Sequence, residues 1–239
     1  MAKTAGKPAE QEQEQAAREG REPTQGRETG PHVVDVWQFS LATVAALLIG
    51  ALFLQLPDAL LVGPRWLLLV IEVALLTPPA LERIANYHLP RRVARGFVYA
   101  LLVTLTLELA LSLGKLVLKL ADPNLSPRLL LISGILLWVA NVLIFATWYW
   151  ETDGDGPVSR HHTGHQAADF QFPQQEDGNT RGWRPGFVDY LFLAFCTATA
   201  LSPADTLPLS RRAKALMMVE AVISMVVIVM LLARFVNVV

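Results

Sequence analysis

The sequence is poor in cysteine and in charged residues. Its single cysteine, Cys196, excludes an internal disulfide and any metal cluster built on cysteines. Charged residues make up only 17% of the 239 residues, and the formal net charge of −1 gives no reason to expect nucleic-acid binding. The sequence also lacks a glycine-rich phosphate loop, a nucleophile elbow and a His-Glu-x-x-His zinc motif. We therefore expect no enzyme activity and no cofactor.

Long apolar runs take the place of these motifs. Hydrophobic residues account for 53% of the chain, and about 20 consecutive apolar residues are enough for a helix to cross a bilayer. The runs predict an all-α integral membrane protein that crosses the cell membrane several times. The shortest run is ended by Pro78 and Pro79, so we expect five spans, with four as the alternative. The five runs are residues 36–57, 66–81, 97–120, 129–149 and 215–233.

Polar segments separate the apolar runs and set the domain boundaries. Residues 1–35 are too polar to bury a core, and we expect a disordered tail there. Residues 36–120 would hold the N-terminal transmembrane helices. Residues 151–186 are rich in glycine, acidic residues and histidine, and they predict a long hydrophilic loop. His161, His162 and His165 lie in this loop, where we expect solvated side chains rather than a zinc site because no helix fixes their spacing.

A half-length apolar run follows the polar loop. Residues 187–201 are too few to cross a membrane, and such a length is typical of an interfacial, buried or re-entrant helix. If the helix is re-entrant, residues 202–210, with the sequence SPADTLPLS, form its return leg. Irregular backbone at membrane depth is tolerated only when it is buried in protein or lines water. The re-entrant interpretation therefore predicts an aqueous lining.

The order of these segments resembles the pore module of the potassium-channel superfamily. The stretch VDYLFLAFCTATALSPADTLPLSRRAKALMMVEAVISMVVIVMLLARFVN, residues 188–237, carries the resemblance, with residues 199–205 in the place of the selectivity filter. The resemblance implies a bacterial membrane-protein branch of that superfamily, a homotetramer in the bilayer and Glu220 as support for the pore helix. It assigns a pore-like module to residues 121–239, with an outer helix at 128–150, a re-entrant helix at 187–201, a filter-like stretch at 197–206 and an inner helix at 211–239.

The filter-like stretch departs from the superfamily at its most important positions. Ser202 and Ala204 replace the two glycines whose backbone freedom lets carbonyl groups point at the ion, and Pro203 replaces the tyrosine. A potassium-selective carbonyl ladder is therefore not expected. Side-chain hydroxyls would line the narrow part instead, with Asp205 as an acidic ring at its mouth. The filter-like residues are Thr197, Thr199, Ala200, Leu201, Ser202, Pro203, Ala204 and Asp205.

Acidic and basic residues near the spans each allow two interpretations. Glu72 and Glu108 lie inside apolar runs, where a carboxyl group serves an ion path or joins helices by hydrogen bonds, and we favour the second. Arginines at 91, 92 and 95 predict a cationic interfacial flank. They are not spaced within a span as in a voltage sensor.

Two signals disagree about orientation. The arginines between 83 and 95 favour the cytoplasm, which would place the loop 151–186 there as well. The channel resemblance implies that this loop lies outside. If residues 66–81 do not cross, the polar tail and the arginines both move inside.

Taken with the resemblance, the residues predict a channel-like protein, an ion-conducting pore without the usual potassium-selective filter. The alternative is a non-conducting scaffold or partner-binding subunit with channel architecture. Its expected partners are the lipid bilayer, further copies of the chain and a permeant ion, and no nucleic acid.

Overall fold

A computed structural model describes residues 31–84, 90–120, 126–162, 164–200 and 205–236, and the side chains of residues 31–40, 82–84, 91, 162 and 234–236 are not described. The chain forms two compact units, residues 1–36 and 37–239. Of the first unit, only helical backbone from Pro31 onward is described, so most of the predicted disordered tail lies outside the described residues. The helical backbone at 31–35 differs from the prediction, which began the first span at residue 36.

Helices make up most of the described residues, which confirms the all-α prediction. The only strands among them are two short ones, β1 (Phe170–Gln171) and β2 (Leu207–Pro208), which pair antiparallel. The helices are α1 (Pro31–Leu54), α2 (Arg65–Ile84), α3 (Arg91–Leu118), α4 (Pro127–Thr152), α5 (Pro157–His162), α6 (Phe187–Thr199) and α7 (Arg211–Val236).

Three of the described helices are long and apolar enough to cross a membrane. Their candidate spans are Arg92–Leu118, Pro127–Asp155 and Arg211–Ala233. The described apolar part of α1, Leu41–Leu54, is shorter than a span, and α2 is not among the candidates. The prediction of five spans therefore stays a prediction, whereas a membrane protein is supported.

Helix α2 corrects one expectation, because it continues through Pro78 and Pro79 to Ile84. Two prolines remove two backbone hydrogen bonds from a helix. The packing of Leu75 and Leu76 against the core compensates for that loss, since tertiary contacts override local propensity.

The connection between α1 and α2 is fastened to α3. Glu108 accepts a hydrogen bond from the Val62 backbone nitrogen at 3.0 Å, and Lys115 donates one to the Leu61 carbonyl. Arg65, the first residue of α2, donates a hydrogen bond to Asp58 of the connection and holds the pKa of that exposed carboxyl below its ordinary value. Glu108 is therefore hydrogen-bonded, as we favoured from the sequence, but its partner lies in the connection and not in another helix.

Helix α4 packs antiparallel to both α3 and α7. Trp148 donates to the Thr106 hydroxyl at 2.9 Å between α4 and α3. Asn141 donates to Ser224 at 2.9 Å between α4 and α7, as expected for a polar residue that joins spans. Further along α4, Gly134 lies directly against α7, where an added Cβ would be 2.7 Å from a leucine methyl. This bundle forms the frame against which α6 packs.

Candidate functional site

The half-length run forms helix α6, which lies alongside α4 and runs antiparallel to it. Trp150, near the end of α4, contacts Phe187 at 6.1 Å between ring centroids, and Trp138 contacts Phe195 at 5.9 Å. At the first turn, the Asp189 carboxylate accepts the Gly186 backbone N–H at 2.7 Å, which satisfies one of the free amides of a helix start. Burial raises the pKa of Asp189, while that hydrogen bond opposes the change.

A buried polar contact joins α4 to α7, the two helices against which α6 packs. Tyr149 of α4 donates a hydrogen bond to Glu220 of α7, and both residues are fully buried. Because a buried carboxyl group without a partner is costly, this contact fixes how α4 and α7 meet.

The end of α6 contains only part of the filter-like stretch. Thr197 donates to the Leu193 carbonyl at 2.9 Å, and Thr199 donates to the Phe195 carbonyl at 2.8 Å, so both hydroxyls bond back to their own helix. Ala200 ends the helix with φ +55°, a left-handed conformation that glycine adopts more readily. The next four filter-like residues, Leu201, Ser202, Pro203 and Ala204, lie outside the described residues.

The predicted polar loop is a folded cap, which we define as residues 153–186. Its centre is Asp153, which is 2% exposed. The Asp153 carboxylate accepts hydrogen bonds from the backbone nitrogens of Asp169 and Phe170 at 2.9 and 3.2 Å, and from the Tyr190 hydroxyl at 2.5 Å. This carboxylate thereby joins the end of α4, β1 and the first turn of α6.

A buried arginine completes the centre of the cap. Arg160, in α5, is 2% exposed and donates to the carbonyl oxygens of Trp150 and Asp153 at 2.7 and 2.6 Å. Its guanidinium lies 4.7 Å from the Trp150 ring centroid and 5.1 Å from that of Tyr190. Such stacking is favourable for a cation removed from water. The same arginine therefore holds α5 against both α4 and α6.

The cap also holds the segment that follows α6. Strand β2 pairs with β1 in the register Phe170 to Pro208, and the Leu209 nitrogen donates to the Asp169 carbonyl at 2.8 Å. At the start of α7, Arg212 lies 3.6 Å from carboxylate oxygens of Asp155 and Asp169. The chain therefore leaves the cap as α6 and returns to the same cap before α7 begins.

Sequence reasoning missed the fold of the cap. The prediction of solvated histidines is also incomplete, because His161 and His165 are half-buried and their ring centroids lie 5.7 Å apart. The His165 carbonyl accepts hydrogen bonds from Gln175 at 2.9 Å and Asn179 at 3.0 Å, which orders this loop. Within the described residues, no three His, Cys, Asp or Glu side chains form a group that could hold a metal. The signal that could have found the cap is Phe170 and Phe172, two buried aromatics spaced by one residue in a polar segment.

Asp205 and Cys196 complete the set of candidate residues. Asp205 is exposed, whereas Cys196 is a free thiol buried on α6, in agreement with a packing role. Comparison of the chain with protein-family models, with curated proteins and with solved structures gives no match. The resemblance to the potassium-channel superfamily therefore rests on the residues that carry it and on their order.

Proposed function

We propose that this chain is a channel-like membrane protein, an ion-conducting pore that lacks the usual potassium-selective filter. The observation that carries the proposal is the path of the chain around α6. This 13-residue helix starts at the cap, and the following segment returns to the cap at β2. A short helix that leaves and returns on one face of a bundle has the form of a re-entrant pore helix.

The contacts of α6 support this assignment. The free backbone groups at the ends of α6 would be tolerated at membrane depth only against protein or water, and α4 and α7 provide a protein surface. The ring contact between Trp138 of α4 and Phe195 holds the far end of the helix. The Asp153 to Tyr190 hydrogen bond fixes its beginning. With α6 held in this way, the return leg that follows it, residues 202–210, would present hydroxyl groups and Asp205 to an aqueous path.

A pore of this kind requires several copies, because one α6 encloses no space. The exposed face of α7 offers a surface for them. Met218, Val222, Met225 and Val229 follow helical spacing, and each exposes more than half of its surface. In a homotetramer, such a face would meet lipid or its counterpart in a neighbouring copy. This arrangement would bring four α6 helices around one axis.

The second candidate function is a non-conducting scaffold with channel architecture. The hydrogen bonds of Thr197 and Thr199 to their own helix are compatible with it, because a hydroxyl group that donates to its own helix needs no water-filled lining to satisfy that proton. Ala200 in a left-handed conformation also differs from a glycine-lined filter. The scaffold would keep the tetramer and lack ion flux.

Ion flux into liposomes that hold the purified full-length protein tests both functions. Potassium, sodium and chloride are measured separately, beside the oligomer mass in detergent. Thr199→Cys in a Cys196→Ser background is then treated with a thiol reagent. Thr104→Cys serves as the matched control, since Thr104 makes the same hydroxyl-to-carbonyl contact within α3 at 2.8 Å.

The outcomes separate the proposals. Flux that the reagent changes in Thr199→Cys and leaves unchanged in the control would place an ion path at the end of α6. A stable tetramer without flux of any ion would favour the scaffold. A monomer without flux would contradict both.

A further inference from the structure

A second site lies at the edge of the bundle, separate from the end of α6. An open cavity of about 870 Å³ lies where the start of α3, the end of α4, α5 and the start of α7 come together. Three arginines line it, against one carboxylate. These four charged residues are Arg92, Arg95, Arg212 and Asp155.

The charges in this cavity leave an excess of positive charge. Arg95 lies 3.3 Å and Arg212 lies 3.6 Å from the same Asp155 oxygen, so the carboxylate draws two guanidinium groups from different helices together. Arg92 lies one helical turn before Arg95 and lines the same cavity. Among the described residues it has no carboxylate partner within 4.0 Å. Asp169, which does not line the cavity, also lies 3.6 Å from Arg212. Two carboxylates for three arginines still leave a net positive charge for a further anion.

The position and the apolar lining identify the kind of anion. Candidate spans begin at Arg92 and Arg211 and end at Asp155, so the cavity lies at the boundary between apolar helix and polar cap. Tyr99 and Trp148 form one wall, with ring centroids 5.8 Å apart, and such aromatic rings prefer the headgroup level of a bilayer. Leu216 lines the membrane side. A phosphate at the arginines would thus have apolar surface beside it for a lipid chain.

We propose that this cavity binds the phosphate group of an anionic phospholipid. Arginine forks suit phosphate oxygens, and basic pockets between transmembrane helices are known sites for acidic headgroups. The lipid would join α3 to α7 through the same arginines that now share Asp155. A free phosphate would use the arginines but not the apolar wall. The site requires neither conduction nor a tetramer, so it stands or falls independently of the proposed pore.

Native mass spectrometry of the purified full-length protein in detergent measures the binding. Phosphatidylglycerol, phosphatidylcholine and inorganic phosphate are titrated in separate arms. The variants are Arg92→Gln and Arg95→Gln, and Arg128→Gln is the matched control because it removes an exposed arginine at the start of α4, at the opposite end of that helix. We expect each cavity variant to weaken phosphatidylglycerol binding about fivefold, from the usual contribution of one arginine near an anionic headgroup. The control should bind as the unchanged protein does.

A second variant guards against loss of fold as the explanation. Asp155→Asn removes the competing carboxylate and keeps a residue type that tolerates the positive φ of 61° at this position. It should bind phosphatidylglycerol more tightly, a gain that misfolding cannot produce. Equal binding of phosphatidylcholine, an equal loss in Arg128→Gln, or weaker binding in Asp155→Asn would overturn the proposal. Inorganic phosphate that binds as tightly as the lipid would overturn the lipid assignment.

Discussion

Replacement of Asp153 by alanine tests whether the cap is a folded unit built on one buried carboxylate. The Asp153 carboxylate accepts three hydrogen bonds, from two backbone amides at 2.9 and 3.2 Å and from the Tyr190 hydroxyl at 2.5 Å. Its removal leaves all three donors buried in a site from which water is excluded. An unsatisfied buried group costs far more than an average hydrogen bond contributes.

The expected magnitude follows from those three contacts. A hydrogen bond to a charged group contributes about 1.5–3 kcal/mol, but contacts that share one carboxylate are not additive. We therefore expect Asp153→Ala to lower the free energy of opening the cap by about 3–5 kcal/mol, similar to breaking a buried charged contact. Amide exchange in the cap should then become faster by about two to three and a half orders of magnitude, since each 1.4 kcal/mol is a factor of ten.

Hydrogen-exchange mass spectrometry in detergent measures this directly. Peptides from the cap and from the first turn of α6 should lose protection, whereas peptides from the core of α4 should keep it. Asp177→Ala is the control, because Asp177 is an exposed acidic residue of the same cap. Exchange rates that rise equally in both variants, or not at all in Asp153→Ala, would refute the role assigned to the buried carboxylate.

Three further predictions concern the helix bundle, and thermal or denaturant unfolding in detergent checks each of them. Gly134→Ala should destabilise the protein by about 1–3 kcal/mol, because its new Cβ would lie 2.7 Å from a side chain of α7, whereas Gly114→Ala, with nothing within 4 Å, should not. Glu72→Leu should stabilise the protein by about 1–3 kcal/mol, because neither carboxylate oxygen of this buried residue has a hydrogen-bond partner among the described residues. A lower stability of this variant would reveal a partner. Asn141→Ala and Ser224→Ala in a double-mutant cycle should show a coupling of about 0.6 kcal/mol, and independent effects would contradict the hydrogen bond between α4 and α7.

The helical elements could be predicted because apolar length is a local property. The runs at 97–120, 129–149 and 215–233 correspond to α3, α4 and α7, and the half-length run corresponds to α6. Proline misled the prediction for α2, since propensity describes an isolated helix and α2 packs against neighbours. Glu108 was expected to be held by hydrogen bonds, which polar residues in apolar surroundings must form.

The candidate site could be predicted from the sequence only in part. The short α6 was expected from the sequence, but Tyr149 as the partner of Glu220 was not. No local pattern marks a contact between residues 71 positions apart. For the same reason, the sequence of the cap indicated only polarity, and no local pattern in it marks Arg160 as buried.

By itself, then, the sequence determined the helical class, the apolar segments suited to a membrane and the presence of one helix too short to cross it. These are consequences of composition and spacing, because each segment must bury its own backbone and match its own surroundings. Only the tertiary structure decided that residues 153–186 fold around Asp153 and Arg160, and that Arg92, Arg95 and Arg212 share one cavity. Those arrangements depend on hydrogen bonds and ion pairs between residues that are distant in sequence. Only the packing of the folded chain brings such residues together.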